Sequence, residues 1–109
     1  MATSVERLAA ECAGTLLLVT AVIGSGIMGD RLSADTGVAL LANTGATAAA
    51  LYVLISLLGP ISGAHFNPVV SAVMAARGAM SPIAAGAYTI AQIAGGLLGT
   101  LLAHAMFDL

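Results

Sequence analysis

The chain has 109 residues, of which 60% are hydrophobic and 7% are charged, and its formal net charge is −2. Soluble domains carry about 25% charged residues, so this composition excludes a typical soluble domain and indicates an integral membrane protein. Three basic residues form no patch for nucleic acid, and a single cysteine excludes a disulfide framework within one chain.

Charged residues leave three uncharged intervals, 12–29, 36–76 and 78–107, and about 20 apolar residues suffice for one helical crossing. The first transmembrane helix is predicted at about 5–28, followed by a polar loop. The second is predicted at about 36–58, because Gly59 and Pro60 are expected to stop it. The third is predicted at about 81–106, with Ser81 as its N-cap and Pro82 in its first turn.

The segment 59–77 between the second and third helices needs a different structure. Asn67 and Pro68 repeat the pattern of an N-cap followed by proline, and apolar residues continue from Val69 to Ala76. About ten helical residues are about 15 Å long, half of a hydrocarbon core of about 30 Å, so this helix is too short to span.

Residues 59–66 before the short helix are predicted to be irregular backbone. Such backbone is tolerated at membrane depth only where protein buries it or where it lines a water-filled cavity. A re-entrant loop that ends in a half-helix satisfies this condition, and a loop on the membrane surface explains the residues alone equally well. In the re-entrant arrangement, backbone carbonyls and the Asn67 amide would face a neutral polar solute, and the positive end of the half-helix would oppose cations.

The motif SGAHFNPVV, residues 62–70, closely resembles the first signature loop of the aquaporin and aquaglyceroporin family, the major intrinsic proteins. Asn67-Pro68-Val69 stands where that family usually has Asn-Pro-Ala. The segment AECAGT, residues 10–15, is similar to the Ala-Glu-Phe-x-Gly-Thr of its first helix, and Ala91-Gln92 is similar to the Ala-Gln of its third. The resemblance covers essentially the whole chain. It implies an all-α membrane fold that corresponds to the N-terminal half of an inverted repeat, with three transmembrane helices and one re-entrant half-helix.

The resemblance also implies roles for individual residues. Pore residues would be Asn67, which donates to the solute, its neighbours Pro68 and Val69, and the three residues whose carbonyls accept, which are Gly63, Ala64 and His65. Glu11 and Gln92 would support the loop from behind. Thr47 stands where many water channels have an aromatic ring, and this small residue favours an aquaglyceroporin-like or metalloid-conducting pore.

The function expected from the resemblance is passive permeation of water and small neutral solutes, such as glycerol or metalloid acids, across a cell membrane of the bacterial inner-membrane type. The family's usual chain contains two halves, so a second half is needed, either an inverted copy of this chain or a separate or missing C-terminal half. Complete pores of the family usually form tetramers. A non-conducting truncated or structural membrane fragment is the alternative, and a small dual-topology transporter ranks last.

The sequence offers no candidate site for an enzyme, a cofactor or a metal. It contains no nucleophile beside a base and no paired carboxylates. His65 and His104 lie far apart along the chain, and a metal site would need further ligands. The expected partners are therefore the lipid bilayer and a second channel half.

Overall fold

A computed structural model describes residues 2–109, and four helices make up most of this part of the chain. They are α1 (Ser4–Leu32), α2 (Thr36–Ser62), α3 (Pro68–Ala76) and α4 (Pro82–Met106). Helices α1, α2 and α4 are long and apolar enough to cross a membrane, whereas α3 has only nine residues. The predicted all-α fold with three transmembrane helices and one short helix is confirmed.

Helix α2 continues through Gly59 and Pro60, so the prediction that this pair stops the helix at residue 58 is wrong. Proline removes one helical hydrogen bond, but unwinding within a membrane would leave several backbone groups without partners. The helix ends at Ser62, because Gly63 takes a left-handed conformation with φ 89° and its amide donates to the Gly59 carbonyl at 2.9 Å. The irregular segment is therefore 63–67, shorter than the predicted 59–66.

Helix α1 also runs further than predicted, to Leu32 and not to residue 28. The sequence suggested a turn at Gly29, but this glycine lies inside the helix and against α2. A Cβ atom at Gly29 would lie 3.1 Å from the carbonyl oxygen of Ala39. Gly29 therefore permits close packing of α1 on α2, and the helix extends until the Ser33 amide donates to its carbonyl.

Helix α1 is the central element, because it packs against both α2 and α4, while α3 packs against α4. The contact with α4 is a contact between backbones: a Cβ atom at Gly95 would overlap the carbonyl oxygen of Cys12, and one at Gly99 would overlap that of Leu16. On the other side, Asn43 of α2 donates from Nδ2 to the Val22 carbonyl at 2.7 Å. The close α1–α4 contact leaves room for only small residues and brings polar side chains of both helices together.

The two ends of the molecule carry different charged residues. Arg7 of α1 and the connection between α3 and α4 lie at one end, around a common cavity. At the other end, Arg31 donates to the Phe107 carbonyl at 3.2 Å and lies 5.4 Å from the centre of that ring, which ties the end of α4 to α1.

We expect the substitution Gly95→Ala to weaken the packing of α1 on α4, because the added methyl group would overlap the Cys12 carbonyl. Overpacking of this kind costs about 1–3 kcal/mol. The free energy of unfolding in mixed detergent micelles, followed by circular dichroism, measures the effect. Gly86→Ala is the control, because Gly86 lies in the same helix and a Cβ atom there meets nothing within 4 Å. Equal losses in both variants would contradict the close α1–α4 contact.

Candidate functional site

The carboxylate of Glu11 is the centre of the polar site, and the residue is 0% exposed. Its Oε2 accepts hydrogen bonds from the Ser62 hydroxyl at 2.6 Å and from the His65 amide at 3.2 Å. Its Oε1 accepts from the Phe66 amide at 2.9 Å and from Nε2 of Gln92 at 2.7 Å. Hydrogen bonds to an ionised acceptor are stronger than neutral ones, and four donors compensate for the burial of this charge.

The loop between α2 and α3 is bent by residues in the left-handed region of backbone space. Ala64 and Phe66 have φ values of 53° and 52°, in addition to the positive φ of Gly63. This conformation costs about 1–2 kcal/mol for a residue with a Cβ atom, so it persists only where other contacts stabilise it. Glu11 supplies such contacts to two amides of the loop. The buried Phe66 ring also lies directly on Gly14, where a Cβ atom would overlap it.

Gln92 of α4 connects this carboxylate to α3. Its Nε2 donates both to Glu11 and to the hydroxyl of Ser71, at 3.0 Å, and the Ser71 hydroxyl lies 2.9 Å from Nδ1 of His65. The carboxylate determines the orientation of the amide, because the reverse orientation would bring Oε1 of Gln92 against a negative charge. Tyr88, one turn before Gln92, donates to the Ser62 carbonyl at 2.7 Å.

The backbone carbonyls of the loop point away from Glu11. In a trans peptide the N–H and the preceding C=O point in opposite directions. The amides of His65 and Phe66 donate to Glu11, and the amide of Ala64 donates to the Ser62 hydroxyl. The carbonyls of Gly63, Ala64 and His65 are therefore directed to the opposite side, where they accept no hydrogen bond from residues 2–109.

Asn67 comes two residues after His65 in the same segment. Its Oδ1 accepts from the Val69 amide at 2.8 Å and caps α3, which leaves both Nδ2 hydrogens free. Pro68 occupies the first helical position, and the Val69 side chain is 68% exposed. The segment 63–69 thus carries three unpaired acceptors, followed along the chain by the free donor of Asn67.

The structure brings together eight of the nine predicted site residues, those of segment 63–65, segment 67–69, Glu11 and Gln92. Thr47 is separate from them. It lies in α2, its hydroxyl donates to the Asn43 carbonyl at 2.8 Å, and α2 packs on α1 alone. Its distance along the helix from Ser62 is about 22 Å.

Three residues of the polar network were missed from the sequence: Ser62, Ser71 and Tyr88. Two of them had a detectable signal. Ser71 lies four residues after Asn67, and Tyr88 lies four residues before Gln92, so each shares a helix face with a candidate. Across residues 2–109, no group of three or more His, Cys, Asp or Glu side chains could hold a metal ion.

Comparison with known proteins identifies the family of this loop and its buried support. The profile of the family described as "Major intrinsic protein" matches residues 1–108. This chain belongs to that family. It is therefore a multi-pass membrane protein, in agreement with its three apolar helices.

Relatives of this major intrinsic protein include aquaglyceroporin AqpS of Rhizobium meliloti (strain 1021), which is 59% identical over 104 residues. The match covers 95% of this chain and 45% of the relative. The probable aquaporin TIP-type RB7-5A of Nicotiana tabacum is 37% identical over 102 residues, which are 91% of this chain and 41% of the relative. The chain thus spans less than half the length of these relatives. No solved structure matches it significantly.

We expect Glu11→Gln to release the loop, because glutamine has one acceptor oxygen and its NH2 group would face donors on the other side. A buried amide without a partner costs about 1–3 kcal/mol. Hydrogen exchange at the His65 and Phe66 amides should become faster, and the free energy of unfolding should fall. Glu6→Gln is the control, since the exposed Glu6 carboxylate accepts only from the Thr3 hydroxyl. Unchanged protection of both loop amides in Glu11→Gln would show that the carboxylate does not hold the loop.

Proposed function

We propose that this chain forms one half of a channel through which water and small uncharged solutes, such as glycerol or metalloid acids, cross a membrane passively. The observation that carries this proposal is the surface of segment 63–67. Three carbonyls without protein partners are followed along this segment by the free Asn67 amide. A hydroxyl-bearing solute can donate to the former and accept from the latter, so its water shell is replaced in steps.

The direction of α3 favours neutral solutes over cations. Its N-terminal end is capped by Asn67 and therefore lies at the loop, and a helix N-terminus carries a partial positive charge. Arg7 and Arg77 on one side against Arg31 on the other give a slight bias for a cytoplasmic N-terminus in the cell membrane. Thr47, with its small side chain, would leave a wide constriction.

A complete pore needs a second half, because this chain matches less than half of each relative. Two sources are compatible with the chain: a second copy inserted in the opposite orientation, and a separate or missing C-terminal half. Complete pores would then assemble as tetramers. The name of the Rhizobium meliloti relative, an aquaglyceroporin, supports glycerol as a test solute.

The transporter alternative has less support. Proton-coupled or cation-coupled transport commonly uses an acidic side chain within a membrane helix, and Glu11 is the buried acidic residue of α1. Both oxygens of Glu11 are engaged by structural donors, and the residue is fully buried. It is poorly suited to exchange protons or bind ions during a transport cycle. A measurement of glycerol flux distinguishes the channel from a non-conducting membrane fragment.

The direct test is light scattering from liposomes that shrink and reswell in glycerol. Liposomes would contain either the chain alone or a chimera in which it is joined to the part of the Rhizobium meliloti relative beyond the matched region. We expect glycerol flux above that of empty liposomes in the chimera. Flux with the chain alone would support the inverted copy as the second half. Empty-liposome flux in both preparations would refute the channel.

Two substitutions of Asn67 separate its cap from its donor. Asn67→Asp keeps an oxygen that caps α3 but has no hydrogen to donate, whereas Asn67→Ala removes both the cap and the donor. We expect flux to fall in both variants, and the free energy of unfolding to fall by about 0.5–2 kcal/mol in the alanine variant alone. Full flux in Asn67→Asp would contradict the donor role, whatever the alanine variant shows.

A further inference from the structure

A cavity of about 390 Å³ lies beside the loop. It is bounded by the first turns of α1 and α4 and by the end of α3, and Ser62 and His65 of the loop line it. Gly63, Ala64 and Asn67 do not, and their polar groups face the proposed pore. The cavity is therefore distinct from the proposed solute path.

The partners of the Ser71 hydroxyl indicate which nitrogen of the neutral His65 ring carries the hydrogen. The Ser71 hydroxyl is fully buried and accepts a hydrogen bond from Nε2 of Gln92. Its own hydrogen then needs an acceptor, and its other partner is Nδ1 of His65 at 2.9 Å. Nδ1 is thus an acceptor, and the neutral ring carries its hydrogen on Nε2.

The Nε2–H group of His65 has no acceptor within the described chain. It takes part in none of the side-chain hydrogen bonds, and it is not one of the two buried unpaired polar atoms, which are Thr15 Oγ1 and Gln92 Oε1. The ring is held by Ser71 on one edge and lies 5.1 Å from the Tyr88 ring. Because His65 lines the cavity, its accessible N–H is available to a ligand there.

Further groups that line the cavity are also donors. Arg7 carries a positive charge, is exposed and lines the cavity. The Ser81 oxygen accepts from the Ala84 amide at 3.1 Å as the cap of α4, so its hydrogen remains free. No acidic residue of the described chain lines the cavity. The nearest acidic group in the polar network, Glu11, is enclosed by its own four donors.

We propose that this cavity binds an oxyanion, with Arg7 providing the charge and the His65 Nε2–H and Ser81 hydroxyl providing hydrogen bonds. A cation beside several hydrogen-bond donors, without a competing carboxylate, is the chemistry that proteins use for phosphate-like groups. Such a group comes from free phosphate or from the headgroup of an anionic lipid. Leu8 and Met74 in the same cavity give an apolar wall beside the donors.

The first measurement is the proton position on His65, from nitrogen NMR of the chain labelled at histidine and held in phosphatidylcholine nanodiscs. We expect one signal from an unprotonated Nδ1 and one from a protonated Nε2, and a mixture of tautomers in Ser71→Ala. Ser71→Cys, which keeps a weak donor, should retain more of the original tautomer. His104 is an internal reference, because it is exposed on α4. A hydrogen on Nδ1 in the unsubstituted chain would overturn the assignment.

The second measurement is the response of the His65 Nε2–H signal to ligands. Inorganic phosphate is titrated into phosphatidylcholine nanodiscs, and phosphatidylglycerol is introduced in a parallel series. A saturable shift with phosphate assigns a free anion, and a shift with phosphatidylglycerol alone assigns a lipid headgroup. We expect Arg7→Gln to weaken the response roughly tenfold or more, the loss of a charge-assisted hydrogen bond.

Arg77→Gln is the matched control, because Arg77 carries the same charge but does not line the cavity. We expect its response to equal that of the unsubstituted chain. No saturable shift with either ligand, or equal weakening in both arginine variants, would overturn the proposal. The measurement does not involve flux, so its outcome is independent of whether the chain conducts.

Discussion

The buried carboxylate of Glu11 is the interaction on which the loop depends. Five residues, 63–67, leave helical geometry within a chain that is otherwise built to cross a bilayer. Their amides need acceptors, because lipid offers none. Glu11 accepts from two of them and from the Ser62 hydroxyl, which itself accepts from a third amide. One charge on α1 thus determines how the backbone of a distant segment is oriented, and its carbonyls turn outward as a result.

Glycine residues in turn allow the close packing that surrounds the Glu11 carboxylate with its partners. Gly95 and Gly99 allow the backbones of α1 and α4 to touch, and this contact brings Gln92 within 2.7 Å of Glu11. Gly14 allows the Phe66 ring to lie against α1, which closes the loop over the carboxylate. The hydrogen-bond network therefore depends on the small residues at these contacts, because a larger side chain there would separate the hydrogen-bond partners.

The architecture leaves α2 the least enclosed of the long helices. It packs on α1 alone, and only Leu54 and Ser62 among its residues are buried. The loop surface that carries the free carbonyls is likewise uncovered by the rest of the chain. On the side of the loop toward α1, by contrast, three loop amides are paired with Glu11 and with the Ser62 hydroxyl. A second half that covers the carbonyl surface would convert an open row of polar groups into an enclosed path.

The sequence by itself determined the number of crossings and the short helix at Asn67-Pro68, because composition, helix length and capping are local properties. It also identified Glu11 and Gln92, through resemblance to a family. Tertiary structure alone decided three matters. It decided that α2 passes Pro60, because a membrane helix ends where new hydrogen-bond partners exist, and that Gly29 is a packing residue. It also decided that Ser62, Ser71 and Tyr88 join the network, since their partners lie on other helices, 51, 21 and 26 positions away in the chain.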